Sequence, residues 1–274
     1  MTFLERMAAA SRDRVRAARA VESDAALERR ALATPLPPPL VLHGFDVIAE
    51  LKLRSPAAGG LASGDFDRGA QLNNYAQGGA AAVSVLTEPT EFKGELAHLV
   101  DAAKLLATAR CPAMRKDFVT DPYQVLEARA AGAGGVLVIV TMLDDATVRA
   151  LVDCARACGL FVLLEAFDRA DLERLAPFDA PTKSGPPLLA GVNCRDLRDL
   201  NVRFSRFAEL APFLPTHLPT VAESGIGTSD DIRTVATAGY RLALIGSSLM
   251  RAADPAVALA ALIAAGRAVA GQES

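Results

Sequence analysis

The chain has 274 residues, of which 51% are apolar and 22% charged, and its net charge is −3. That length suits one large α/β domain, since barrels of alternating strands and helices run to about 250 residues. The composition supplies no basic footprint for nucleic acid or anionic lipid, and no stretch of about 18 apolar residues is present to span a membrane; a small anionic substrate needs only local positive charge.

Residues 3–33 read as one helix, with Leu4, Met7, Val15 and Leu27 scattered among Arg, Glu and Ala. Pro35, Pro37, Pro38 and Pro39 end it, because proline lacks the helical N–H and clashes with the preceding turn. Acidic residues Glu5, Asp13, Glu22 and Asp24 and the brief apolar run Met7–Ala10 fit neither a transit peptide nor a secretion signal. Residues 1–45 are therefore expected to form a helical extension on a single domain covering 1–274.

Beyond the prolines the chain alternates. Apolar runs are found near 47–51, 81–86, 111–114, 135–140, 160–164, 188–192, 220–222 and 242–245. Between and after them lie segments of helical period, roughly 67–78, 94–109, 122–131, 144–158, 169–176, 204–211, 229–238 and 255–266. Continuously apolar strands are covered on both faces, which implies a parallel sheet. Eight such pairs predict a closed barrel or an open doubly wound sheet. The latter needs a Gly-x-Gly-x-x-Gly turn after its first strand. Lys52-Leu53-Arg54-Ser55-Pro56 stands there instead, so a (β/α)8 TIM barrel is the expected fold.

Helix punctuation agrees. Asp121-Pro122 and Asp254-Pro255 each place a cap before a proline at the first helical position, and Ser229 is read as the cap before Asp230 and Asp231. Gly132 reads as a helix stop. Ala176–Pro187 is long for a helix-to-strand link and reads as a tolerated insertion. The four cysteines, Cys111, Cys154, Cys158 and Cys194, lack zinc spacing and suit a reducing cytoplasm. Cys154 and Cys158, four apart, read as buried hydrophobes in preference to a redox pair.

Ionisable and amide residues recur where apolar runs stop: Glu50 and Lys52, Lys116, Glu165, Asn193, Glu223. In a barrel these ends open onto one face. Glu50 and Lys52, two apart, point the same way. A second ammonium and burial both lower a lysine's pKa, so a lysine here is expected to donate a proton near neutral pH, with a carboxylate as base. For a single Glu–Lys pair a plain salt bridge is an equal reading. Glu223-Ser224-Gly225-Ile226-Gly227 and Gly246-Ser247-Ser248 follow strands seven and eight, where barrels hold phosphate on glycine N–H groups; ordinary turns are the alternative. Ser55 and Arg54 add a hydroxyl and a charge from loop one. Asn193 and Arg195 suit hydroxyl and anion contacts, or an Asn/Asp turn. Phe92 and Phe118 suit the wall of an aromatic-ring site or the core equally. His43, His98 and His217 fall away from strand ends and lack ligand spacing, so neither a metal site nor a Ser-His-Asp triad is expected.

Taken together, Ile48-Ala49-Glu50-Leu51-Lys52 with Ser55-Pro56, Ser84-Val85-Leu86-Thr87-Glu88, Arg115-Lys116-Asp117-Phe118 and Asp121-Pro122-Tyr123-Gln124 form an ordered set. Gly191-Val192-Asn193-Cys194-Arg195-Asp196-Leu197, Ala222-Glu223-Ser224-Gly225-Ile226 and Ile245-Gly246-Ser247-Ser248-Leu249-Met250 complete it. From about Phe3 to the last helix the chain resembles the indole-3-glycerol phosphate synthase family. The resemblance implies a cofactor-free carbon–carbon lyase of tryptophan biosynthesis. Its substrate would be the anionic 1-(2-carboxyphenylamino)-1-deoxyribulose 5-phosphate, closed to an indole with loss of carbon dioxide and water. It implies Lys116 as general acid, and Lys52 as a contact for the substrate carboxylate and a proton donor in dehydration. Glu165 would be base or charge partner, Glu50 a second carboxylate, and Asn193 a hydroxyl contact. Arg195, Glu223 and Ser224 would bind substrate, and Ser55, Gly225, Gly246 and Ser247 phosphate. Ala57, Cys194, the Glu165-Ala166-Phe167 run and the Ala176–Pro187 insertion depart from the family's usual pattern. A cytoplasmic monomer or homodimer is expected, without nucleic-acid or membrane partners. A related phosphate-binding isomerase barrel, which would not need Lys52 and Lys116 together, and a non-catalytic ligand-binding barrel are the alternatives.

Overall fold

A computed structural model describes residues 2–55, 59–60, 66–178, 185–195 and 201–271. Eight parallel strands close into a barrel: β1 (Asp46–Leu51), β2 (Ala82–Leu86), β3 (Ala113–Lys116), β4 (Gly135–Ile139), β5 (Phe161–Ala166), β6 (Leu188–Asn193), β7 (Thr220–Glu223) and β8 (Leu242–Ile245). Each strand pairs with its neighbours in sequence, and β8 returns to β1 with Ile48 opposite Leu244. A two-residue pair, Arg54–Ser55 with Gly59–Gly60, follows β1 outside the barrel. Around the barrel run α3 (Arg68–Gln77), α4 (Leu96–Thr108), α5 (Pro122–Ala130), α6 (Asp145–Ala157), α7 (Arg169–Glu173), α8 (Arg206–Leu210), α9 (Ser229–Thr237) and α11 (Pro255–Ala270), with the short α10 (Ser247–Arg251) inserted after β8. The fold is the expected TIM barrel.

The double burial of the strands follows from the alternation of their side chains. Val47, Ala49 and Leu51 of β1, with Val83 and Val85 of β2, face the helices in the larger core. Ile48, Met114, Leu137, Phe161, Leu163, Leu189 and Leu242 point inward and fill the barrel. One inward layer higher the apolar series ends. Glu50, Lys116, Glu165, Asn193 and Glu223 occupy inward positions at or near the last residue of their strands, above a packed apolar floor.

The N-terminal segment differs from expectation. It forms two helices, α1 (Phe3–Val21) and α2 (Asp24–Ala33), not one. Ser23 is the reason: it takes an extended conformation and its hydroxyl accepts from Ala26 N, so a second cap is written into the run of good helix formers. The start of α9 also moves by one residue. Thr228, not Ser229, is the cap, and it shares a capping box with Asp231. The Asp121 and Asp254 caps stand as read. Of the Ala176–Pro187 insertion, residues 179–184 lie outside the described residues.

Candidate active site

The strand ends frame a cavity of about 400 Å3 at the C-terminal mouth of the barrel. Glu50, Lys52, Lys116, Glu165, Asn193, Arg195 and Glu223 all line it. Lys116 Nζ lies 3.2 Å from Glu165 Oε2 and 3.4 Å from Glu223 Oε2. Asn193 Nδ2 donates to Glu165 Oε1 at 2.9 Å, and Asn193 Oδ1 accepts from Arg195 N at the same distance. The amide therefore fixes both the orientation of Glu165 and the start of the loop carrying Arg195. Lys52 Nζ pairs with Glu50 Oε2 at 2.5 Å.

The electrostatics correct one expectation. Burial does press the Lys116 ammonium toward the neutral amine, but Glu165, Glu223 and Glu50 together outweigh it and raise its pKa above the ordinary lysine value. The sequence shows two lysines at strand ends; the site places three carboxylates around this one. Burial would also raise the pKa of Glu50, yet Lys52 and then Lys116 reverse this and hold the carboxylate below its ordinary range. Glu223 goes the other way. Burial first, then the negative Glu165, push it well above its usual value, and Lys116 offsets this only in part. Its Oε1 is buried without a hydrogen-bond partner, as a carboxyl held neutral tolerates better than a carboxylate. Gly191 makes room for it, since a Cβ there would collide with Glu223 Oε1. Lys52, Lys116, Arg195 and Arg251 bring local positive charge to the lining, the kind of charge that a small anion needs.

One wall is aromatic. Phe118 packs edge-on to Phe3 at 5.9 Å and against Phe92 at 6.2 Å, and all three line the cavity. Phe3 was not singled out from sequence; nothing in the spacing at a helix start marks its destination. Glu88, the last residue of the Ser84–Glu88 motif, has a structural part as well. Its buried carboxylate accepts from the N–H groups of Thr90 (2.9 Å), Glu91 (2.7 Å) and Phe92 (3.1 Å), and so sets the loop that presents Phe92.

The opposite end is built by loops seven and eight. Ser224 (φ 72°) and Gly225 (φ 73°) turn the chain sharply after β7 in the left-handed region, and the Ser224 carbonyl accepts from Cys194 Sγ at 3.2 Å. Asp231 accepts from Gly227 N and Thr228 N and holds the turn. Gly246 precedes α10, whose first N–H groups have no partner within the helix. A Cβ at Gly246 would crowd Glu50 Oε2 and Lys52 Nζ and push these tips aside, because the loop's backbone lies directly on the ion pair. Ser224, Gly225, Gly246 and Ser247 all line this end, as do Ser248 and Arg251, which sequence reasoning passed over. The Ser55 side chain, Ala57, Asp196 and Leu197 lie outside the described residues. Among the described residues no group of His, Cys, Asp and Glu is arranged to hold a metal, and no helix is long and apolar enough to cross a membrane.

A family model described as indole-3-glycerol phosphate synthase matches residues 4–262. The chain belongs to the indole-3-glycerol phosphate synthase family. It is 44% identical over 212 residues to the indole-3-glycerol phosphate synthase of Nocardioides sp., covering 77% of each chain. It is 42% identical over 224 residues to that of Streptomyces griseus, covering 82% of this chain and 79% of the relative. Among solved structures, 3-hexulose-6-phosphate synthase from Salmonella typhimurium superposes with a TM-score of 0.62 at 14% identity, over 82% of this chain and 99% of that one. At that identity the likeness concerns the barrel alone. Family membership also ties the chain to tryptophan biosynthesis.

Proposed function

We propose that this chain is a carboxy-lyase that converts 1-(2-carboxyphenylamino)-1-deoxyribulose 5-phosphate to indole-3-glycerol phosphate, releasing carbon dioxide and water. The observation that carries the reading is the Lys116 ammonium held between Glu165 and Glu223, facing the Glu50–Lys52 pair across one cavity.

The substrate's phosphate is assigned to the Gly225, Gly246 and Ser247 turns, with Ser55 from loop one. Its carboxyphenyl ring is assigned to the Phe3, Phe92 and Phe118 wall. Fixing both ends brings the ring carbon and the ketone within bonding reach, and such positioning supplies a large part of the acceleration of a ring closure. As that carbon attacks, negative charge gathers on the ketone oxygen. Lys116 is the donor. Its raised pKa keeps it fully protonated at neutral pH, and the growing alkoxide is basic enough to take the proton. Glu165, oriented by Asn193, balances the charge and serves as base or charge partner. Carbon dioxide leaves as aromaticity returns. Lys52 meets the substrate carboxylate first and then, with Glu50 as its proton partner, serves the dehydration; Arg195 adds positive charge to the binding set.

Purified protein given this substrate should generate indole fluorescence, and Lys116→Ala should not. Absence of an indole product from the folded wild-type chain would remove the proposal.

A further inference from the structure

Lys116 is the last residue of β3, and the side chains of its two chain neighbours, Arg115 and Asp117, join a buried ionic cluster beside the cavity. Arg115 Nη1 donates to Gln124 O (2.8 Å) and Glu127 Oε2 (2.9 Å), and its Nη2 donates to Asp117 Oδ2 (3.1 Å). The Asp117 side chain is fully shielded from solvent. It also accepts from Thr87 Oγ1 at 2.8 Å and Phe118 N at 2.8 Å. The remaining partner comes from 103 residues earlier in the chain. Arg14 of α1 engages both oxygens of Asp117, Nη2 to Oδ1 at 2.7 Å and Nη1 to Oδ2 at 3.2 Å. One turn before it, Ser11 Oγ donates to the Phe118 carbonyl at 2.5 Å. The Lys116 carbonyl itself accepts from Thr87 N at 3.1 Å.

We propose, on the strength of the function given above, that Arg14 and Asp117 are positioning residues for Lys116, so that the N-terminal helix sets the place of the proton donor. Arg115 is shared between Asp117 and Glu127, so Arg14 supplies the second cation that a buried carboxylate needs. A two-toothed Arg–carboxylate contact fixes direction as well as distance. Asp117 then carries that constraint into the backbone through the Phe118 N–H. The Lys116 peptide is gripped on one side by Thr87 and on the other by the Asp117–Arg14 pair, and its ammonium is aimed between Glu165 and Glu223. The same grip sets Phe118, so donor and aromatic wall are placed together.

The test compares full-length wild type with Arg14→Ala, Arg14→Lys and Asp117→Asn. For Arg14→Ala and Asp117→Asn, kcat should fall about ten-fold or more, because a displacement on the order of 1 Å in a reacting group costs up to about a hundred-fold. KM should change by less than kcat does, since the phosphate turns and the Glu50–Lys52 pair stay in place and only the Phe118 part of the wall is loosened. The 15N resonance of the Lys116 ammonium, recorded without substrate, should move in both variants, and Arg14→Lys should recover part of kcat. A brace that only stabilises the fold would lower the melting temperature while leaving kcat per folded molecule and the Lys116 resonance as in wild type; that outcome overturns the proposal. Should Asp117→Asn fail to fold, Arg14→Ala decides alone, because Arg14 is partly exposed. If wild type itself makes no indole product the assigned reaction falls, and the Lys116 resonance still decides the clamp.

Discussion

Lys116 Nζ and Glu165 Oε2 stand 3.2 Å apart although 49 residues separate them in the chain. Asn193, on the next strand, holds the other Glu165 oxygen at 2.9 Å. Removing the ammonium leaves Glu165 and Glu223 facing each other without their shared cation. Lys116→Ala is therefore expected to remain folded, the floor beneath being apolar, but to lose about a hundred-fold or more in kcat, in line with the loss of a general acid. Steady-state kinetics together with a melting curve separates the two effects.

The pKa of Glu223 gives a pH prediction with a definite sign. Below its ordinary value of 4.5 the carboxyl is neutral in both folded and unfolded chains, and ionisation affects neither. Between that value and the raised folded-state pKa, only the unfolded chain ionises, so wild-type stability falls as pH rises. Glu223→Gln abolishes this loss. The variant should match wild type near pH 4 and melt higher at neutral pH, while its turnover drops. A difference in melting temperature that does not widen with pH would contradict the assignment.

Much of this arrangement is legible in the sequence. Runs such as Val47–Leu51 and Leu188–Val192 announce strands covered on both faces, and a charged or amide residue closing five of the eight runs announces the mouth of the barrel. The closure itself follows from eight repeats. What escapes is set by contacts distant in sequence. Phe3 reaches the aromatic wall, and Arg14 reaches Asp117, only after α1 folds over the mouth. The five-residue α10 starts within what reads from sequence as a Gly-Ser-Ser turn. The direction of the Lys116 shift depends on how many carboxylates surround it, and that number exists only in three dimensions. The break at Ser23 is local in origin, since a serine ahead of Asp24 is an ordinary cap signal.

At the other end of the cavity, Ser247→Asp places a carboxylate where the phosphate is assigned. KM should rise about ten-fold or more with a smaller change in kcat, because like charges a few ångströms apart in a partly shielded site repel by roughly 1–4 kcal/mol. Gly246→Ala acts differently. Its methyl group would strike Glu50 and Lys52, so kcat should fall as well. If both variants bind substrate like wild type, the phosphate does not lie there.

Glu88 supports Phe92 through three backbone N–H groups. Glu88→Ala frees this loop, and each lost bond to a charged acceptor costs about 1.5–3 kcal/mol where the donor stays buried. The expected result is a raised KM with little change in the melting of the barrel. Crystals of the variant should show Phe92 displaced from Phe118.

The most direct test of the central claim follows the carboxyl carbon. Substrate labelled there is given to the purified full-length chain, and labelled carbon dioxide is counted against indole-3-glycerol phosphate formed. The account predicts one carbon dioxide per indole, with both products lost together in Lys116→Ala. Indole product from the Lys116 variant at the wild-type rate, or carbon dioxide released without ring closure, would contradict it.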